Sequence, residues 1–271
     1  MIKMMIRLPV PTALLAILLL FASHTVLSAH RITASSDHQT MAVLELYTSE
    51  GCSSCPPAEK YLHQLSDEHG NDKKFIPLAF HVDYWDYIGW EDPFAQSEFS
   101  ERQKAGAVRN ELKSIYTPQF VLHGKDFRAH RNIPKAIDII NEIEPAIDLS
   151  VAASLNNSRT LETEVTLNSI HTTDLLHADI RIIITENNLR SHIQDGENAG
   201  LKIRHDHVVR HMTEPLKITG SDDDSKQLIM RKINIDPEWK LTDMDLVVFI
   251  QNRINGATLQ AIKMPLQDLN H

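Results

Sequence analysis

The chain has only two cysteines, Cys52 and Cys55, and they lie in the segment GCSSCPPAEKYLHQL (residues 51–65). Two cysteines at this spacing suit three roles: a redox centre, half of a metal site, or a structural cross-link. A disulfide between them would close a very short loop, so it would constrain the unfolded chain far less than a long-range bridge. A disulfide at this spacing would therefore be a weak structural cross-link. The cellular compartment and the residues around the cysteines distinguish between the three roles.

The first 29 residues predict a secretory signal peptide. Lys3 and Arg7 form a positively charged start, residues 13–22 form a short apolar run, and the sequence LSA ends at Ala29. Because the run is too short for a comfortable transmembrane helix, we expect no membrane span after cleavage. A periplasmic or secreted location follows, and in that oxidising compartment the cysteine pair forms a disulfide unless something keeps it reduced.

Composition and the absence of several motifs exclude some function classes. The 271 residues suffice for one large domain or two ordinary ones, and the formal net charge of −9 argues against a nucleic-acid partner. The sequence has no glycine-rich nucleotide loop, no GxSxG and no HExxH, which weakens the common kinase and hydrolase interpretations. The sequence calls for no cofactor.

The pattern along the chain predicts two regions. Residues 30–40 are polar without an apolar period and predict a flexible lead-in, and residues 41–146 alternate strand and helix patterns with a mostly helical insertion at about 86–114. After Pro145 many short strand patterns follow one another without helical segments, which predicts a β-sandwich-like domain over residues 148–271.

One pair of histidines in the second region is a candidate for metal binding. His205 and His207 flank Asp206 in a strand pattern, so they would share one face. A metal site needs three or four convergent ligands, so the sequence predicts surface residues here and no metal site.

The first region resembles known proteins. A strand that leads into a CxxC at a helix start, with a proline opening a later strand, resembles the thioredoxin fold over roughly residues 40–146. More closely, the segments VLELYTSEGCSSCPPAEKYL, FHVDYWDYIGWEDPF and YTPQFVLHG resemble the bacterial secreted family called domain of unknown function 1223. The resemblance implies an exported protein with an α/β thioredoxin-like domain that carries a helical insertion. It tells little about function, because that family is itself uncharacterised.

The resemblance also implies roles for four residues. In thioredoxin-like proteins the first cysteine attacks, so Cys52 would be the exposed nucleophile and Cys55 the shielded resolving thiol. Thr117 and Pro118 fall where such folds place a cis-proline that faces the disulfide and holds an extended substrate.

The two prolines after the second cysteine modify this expectation. Pro56 and Pro57 have no N–H, so regular helix hydrogen bonding cannot begin much before Ser54. Cys52 would then precede the first full helical turn and gain less from the helix dipole.

Glu45 is a candidate proton acceptor for the resolving thiol. It lies inside the first apolar strand, on the face of Val43 and Tyr47. A carboxylate buried near a CxxC pair would have a raised pKa, which suits it to accept a proton.

Three functional hypotheses follow. The first is an exported thiol–disulfide oxidoreductase whose clients are protein thiols or disulfides. The second is a copper-handling protein in which the two thiolates and a histidine such as His81 or His123 bind Cu(I), an ion that prefers soft ligands. The third is a binding module in which the disulfide takes no part in turnover.

Overall fold

A computed structural model describes residues 30–68, 74–169, 177–218 and 226–269 of the chain. Its helices are α1 (Cys55–Glu68), α2 (Ser97–Arg109) and α3 (Ile133–Asn141). Its strands are β1 (Arg31–Ser35), β2 (Ala42–Thr48), β3 (Phe75–His81), β4 (Gln119–Leu122), β5 (Lys125–Asp126), β6 (Ile147–Leu155), β7 (Thr160–Ser169), β8 (Ala178–Glu186), β9 (Leu189–His192), β10 (Lys202–His205), β11 (Val208–Met212), β12 (Leu216–Lys217), β13 (Lys226–Asn234), β14 (Met244–Asn252) and β15 (Thr258–Pro265).

Helix α1 begins at Cys55, and Pro56 and Pro57 occupy its first turn. Prolines are tolerated there because the first N–H groups of a helix have no carbonyl partner within the helix. The predicted late start of this helix is confirmed, and Cys52 lies ahead of it. Leu62 and Leu65 are buried and pack on the sheet side of the helix.

One large mixed sheet runs through most of the molecule. Its strand order is β15-β14-β8-β11-β3-β2-β4-β5, with β12 paired to β8. Strand β3 is parallel to both β2 and β11, and β4 is antiparallel to β2. Every residue of β2 and β3 is buried, as expected for central strands that are covered on both faces.

A second sheet packs against one end of the large sheet. It has the order β1-β6-β7-β13. The apolar core between the two sheets includes Leu149 and Leu167 from the small sheet and Ile182, Val248 and Ile262 from the large one. The small sheet thus packs on the antiparallel part of the large sheet, formed by β15, β14 and β8, and the two layers share an apolar interior.

The two predicted regions, residues 41–146 and 148–271, share strand pairing and an apolar cluster. Strand β11 joins the free edge of β3, and the amide of Ala79 donates a 2.8 Å hydrogen bond to the carbonyl of His207. A second apolar cluster contains Val43 and Phe80 together with Val247 and Phe249. The edge of β3 is thus paired within the chain, which makes the two regions one continuous structure.

Two smaller expectations are also corrected or refined. Residues 31–35 are not a flexible lead-in, because they form β1 and pair with β6, with Ile32 and Ala34 packed against the core. The inserted segment at about 86–114 contains a short 3₁₀ turn, Asp86–Ile88, and helix α2. The alternation of Ile32 and Ala34 with polar residues is the strand signal that the sequence analysis overlooked.

No helix in the described ranges is long and apolar enough to cross a membrane. The predicted signal peptide, residues 1–29, lies outside the described residues.

Candidate functional site

Cys52 and Cys55 form a disulfide at the start of α1, with their Cα atoms 5.4 Å apart. The amide of Cys55 donates to the carbonyl of Cys52 at 3.1 Å, which closes the turn between them. The hydroxyl of Ser54 lies 3.4 Å from Sγ of Cys52. Once the disulfide is broken, this hydroxyl is placed to donate a hydrogen bond to a Cys52 thiolate.

Both cysteines are buried, so the expectation of an exposed Cys52 is wrong. Their side chains are 1% and 0% exposed. Residues 193–201, which connect β9 to β10 and are called the cap segment below, contact the CxxC loop.

Two side chains of the cap segment bind the CxxC loop. The side-chain amide of Asn198 donates to the carbonyl oxygens of Glu50 at 2.7 Å and Cys52 at 3.1 Å. The amide of Ser53 donates to Oε2 of Glu197 at 3.2 Å. The cap segment therefore holds the backbone on both sides of Cys52.

Trp85 links the CxxC loop to the predicted cis-proline. A Cβ atom added to Gly51 would meet Cβ of Trp85 at 3.0 Å, so a glycine is required for this close approach. The Trp85 indole donates to Oγ1 of Thr117 at 2.7 Å. The Thr117–Pro118 peptide bond is cis, as the sequence analysis predicts.

Glu45 does not have the contacts that its predicted role requires. Its carboxylate accepts two hydrogen bonds from Arg102, at 2.6 and 3.0 Å, and one from the Tyr47 hydroxyl at 2.8 Å. Burial and the charge of Glu45 raise the pKa of Tyr47 well above its ordinary value. A carboxylate bound by a guanidinium and a phenol is an ion-pair partner, and nothing in its contacts supports proton exchange with Cys55.

A buried cluster of carboxylates and imidazoles lies beside the CxxC loop. His205 is 1% exposed, and its ring nitrogens contact Glu59 at 2.6 Å and Glu50 at 2.9 Å. Burial alone would lower the pKa of His205, but the charges and hydrogen bonds of Glu59 and Glu50 outweigh it and raise the pKa to about 10. His205 is therefore not the surface residue that the sequence predicted.

His81, at the end of β3, completes this cluster. Its Nδ1 contacts Asp92 at 2.7 Å, and its ring centroid lies 5.2 Å from that of His205. Burial would raise the pKa of Asp92, but His81 and the amides of Glu50 and Phe94 outweigh it and lower the pKa. Nε2 of His81 is buried and has no hydrogen-bond partner within the part of the chain that the structure describes.

His207 does not share a strand face with His205. It has a φ of 60° and lies between β10 and β11, so the chain turns between the two histidines. The sequence analysis treated both as members of one strand and thus missed the inward direction of His205. A His-Asp-His sequence gives no local signal for such a turn.

Comparison with known proteins gives a family and two related folds. The family described as "Protein of unknown function (DUF1223)" matches residues 43–251. Protein AGR_C_4864 from Agrobacterium tumefaciens is 20% identical, with a TM-score of 0.59 over 84% of this chain and 96% of that chain. HBP35 of Porphyromonas gingivalis is 16% identical, with a TM-score of 0.60 over 85% of this chain and 76% of that chain. At such identities the similarity concerns the fold alone, and no curated protein matches the chain.

Proposed function

Because this chain belongs to the DUF1223 family of proteins of unknown function, its activity has to be inferred from the site, and we propose that it is an exported thiol–disulfide oxidoreductase. The observation that carries the proposal is the Cys52–Cys55 disulfide at the start of α1. Its clients would be protein thiols or disulfides, and residues 1–29 would direct it to the periplasm or the exterior.

The arrangement around the disulfide supports a thioredoxin-like unit within residues 41–146. The pair follows β2, which is parallel to β3 and antiparallel to β4. The cis Thr117–Pro118 bond precedes β4, and α3 follows β5. Residues 148–271 would be the β-sandwich-like part that frames this unit, and the inserted segment with α2 would be its addition.

The proposed reaction is two successive thiol–disulfide exchanges. A client thiolate attacks Sγ of Cys52, the Cys52–Cys55 bond breaks, and Cys55 leaves as a thiolate. A second client thiolate then attacks the client sulfur of the mixed disulfide, and Cys52 leaves. The client loses two electrons to the cysteine pair, and the two thiolates of the pair take up protons from solvent. The reverse sequence, started by a Cys52 thiolate, would reduce a client disulfide.

Three neighbouring groups have proposed roles in this exchange. The Ser54 hydroxyl, 3.4 Å from the Cys52 sulfur, would stabilise the Cys52 thiolate. The backbone at Thr117 and Pro118 would hold the client chain. Because both cysteines are buried, the cap segment must move before a client can reach Cys52.

The same burial favours the alternative of a binding module with an idle disulfide. An inaccessible disulfide does not exchange with clients, so reaction with thiols depends on how often the cap segment opens. The copper-handling alternative has less support, since the two sulfurs are joined and Cu(I) would require both as thiolates.

The decisive experiment is trapping of mixed disulfides. Cys55→Ser should accumulate a covalent complex through Cys52 with exported proteins, because the resolving thiol is missing. Cys52→Ser is the matched control and should trap little. If neither variant traps a partner, and the wild-type pair neither reduces insulin nor oxidises a reduced model protein, the oxidoreductase proposal is wrong and the binding module replaces it.

A further inference from the structure

The buried cluster beside the CxxC loop has the donor atoms of a metal site. We propose that His81, His205 and Glu59 bind one divalent transition-metal ion, for which Zn²⁺ is the best chemical match. One ring nitrogen of each histidine and one carboxylate oxygen of Glu59 lie within 4.8 Å of one another. Tetrahedral zinc with bonds of about 2.0–2.2 Å places its ligands about 3.4 Å apart. The more distant donors would therefore move together by about 1 Å, whereas His205 Nδ1 and Glu59, now 2.6 Å apart, would separate slightly.

His81 is oriented as a metal ligand. Oδ2 of Asp92 accepts from the amide of Glu50 at 2.8 Å and also contacts Nδ1 of His81. An ionised carboxylate can only accept, so Nδ1 carries the hydrogen and Nε2 of neutral His81 carries the lone pair. That nitrogen is buried and lacks a hydrogen-bond partner among the described residues, which costs free energy unless an ion or a water binds it.

His205 has the same arrangement with a different carboxylate. Its Nε2 contacts Glu50 at 2.9 Å, and its Nδ1 points to Glu59 at 2.6 Å. Each histidine is thus held by its own carboxylate, Glu50 or Asp92, through the nitrogen that would not bind the metal. Metal-binding histidines almost always have such a carboxylate or carbonyl partner, which fixes the ring and its tautomer.

The balance of charge also favours a cation. Glu50, Glu59 and Asp92 place three carboxylates around two imidazoles, and their side chains are at most 10% exposed. Even with both rings protonated, the negative groups outnumber the positive ones. A divalent ion would compensate this buried excess, and the proton between His205 Nδ1 and Glu59 would leave to solvent when the ion binds.

The donor set selects the metal. Two histidines and one glutamate with a fourth position left open are typical of catalytic zinc sites. Mg²⁺ and Ca²⁺ prefer oxygen ligands, and Cu(I) prefers thiolates, which this site does not use. The proposal is independent of redox activity at Cys52–Cys55.

The test is metal binding by the metal-free, fully oxidised protein. Competition of Zn²⁺ with a chromogenic chelator should give one ion per chain, and Co²⁺ should give the intense visible bands of a tetrahedral site. Replacement of a ligand, in His81→Gln or Glu59→Gln, should weaken Zn²⁺ binding at least 100-fold. The orienting variant Asp92→Asn should weaken it about 10- to 100-fold. His123→Asn is the matched control, since His123 is a half-buried histidine outside the cluster with the left-handed φ that asparagine tolerates.

Three results would overturn the proposal: no stoichiometric binding, binding that the ligand variants leave unchanged, or binding that occurs only after the cysteines are reduced. The last result would indicate a thiolate site instead. If a ligand variant does not fold, the wild-type protein still decides. Added Zn²⁺ should shift the imidazole ¹⁵N resonances of His81 and His205, and unshifted resonances contradict the site.

Discussion

Asn198 donates a 3.1 Å hydrogen bond from its side chain to the carbonyl oxygen of Cys52, although 146 residues separate the two in sequence. A second bond from the same amide reaches the carbonyl of Glu50 at 2.7 Å. The backbone of the CxxC loop is therefore held by a segment from the far half of the chain. If the protein exchanges disulfides, we expect opening of that segment to affect the rate.

The first prediction follows from this contact. Asn198→Ala should speed reduction of the Cys52–Cys55 disulfide by dithiothreitol about 5- to 100-fold. Two hydrogen bonds, each with a net worth of about 0.5–1.5 kcal/mol, would no longer oppose opening of the cap segment. The rate is measured by stopped-flow thiol detection under native conditions.

A variant in the same segment serves as the control. Gln194 is exposed, and its side-chain amide donates to the nearby carbonyl of His192. Gln194→Ala should leave the reduction rate unchanged. Equal rates for wild type and Asn198→Ala would mean that the cap segment does not limit access to the disulfide.

The second prediction concerns the buried ion pair of Arg102 with Glu45. The Arg102 guanidinium also lies 5.5 Å from the Phe80 ring centroid and 5.4 Å from that of Phe249, so it connects α2 and β3 with β14. Arg102→Met should lower the free energy of unfolding by about 3–5 kcal/mol, because it leaves the Glu45 carboxylate buried without its charge partner. Urea denaturation measures the change.

The Lys104–Glu101 pair on the same helix provides the control, because both of its side chains are more than half exposed. Lys104→Ala should change the free energy of unfolding by less than about 0.5 kcal/mol. A loss of similar size in the two variants would show that burial of the Arg102 pair has no special energetic effect.

The features that sequence could predict are those with local causes. The late start of α1 follows from two prolines that lack N–H groups, and the disulfide was predicted from the cysteine spacing together with the expected export. The cis bond at Thr117–Pro118 was expected because its position resembles that of the thioredoxin-like cis-proline. Each of these inferences used a few neighbouring residues or one matched motif.

The features that sequence missed depend on distant strands. The backbone at Cys52 is bound by the distant Asn198, the inward position of His205 depends on a turn at His207, and continuity of the sheet depends on β11 beside β3. No periodicity within a single strand encodes which other strand pairs with its edge. The shared sheet was missed for the same reason, since a change of local pattern near residue 146 does not reveal strand pairing across it.

The third prediction tests the shared sheet. A fragment of residues 30–146 should not fold stably, because it would expose the β3 edge and lose Val247 and Phe249 from the apolar cluster around Phe80. Near-UV circular dichroism and amide exchange of the fragment measure this. The full chain should show exchange protection of β3 and β14 of similar size. A fragment with native-like protection of β3 would restore the division into independent domains.

The fourth prediction uses His207, whose pKa is lowered to about 4 by burial, against about 6.5 for an unfolded histidine. Between these values the unfolded chain binds a proton that the folded chain does not, so the free energy of unfolding falls as the pH falls. Across the whole interval between the two pKa values, the free energy of unfolding changes by roughly 3 kcal/mol.

His207→Asn should remove that part of the pH dependence, because asparagine does not titrate and tolerates the φ of 60° at this position. Urea denaturation of the wild type and the variant at pH values between 4 and 7 measures the difference. The wild-type profile alone does not isolate His207, because burial raises the pKa of Asp245 to about 6 and that carboxyl group titrates with the opposite sign in the same range. The comparison of the variant with the wild type removes the Asp245 contribution, which both proteins share. Gln194→Ala, which removes no titratable group, should leave the wild-type slope unchanged. Parallel pH profiles for wild type and His207→Asn would show that His207 has the same pKa in the folded and unfolded protein.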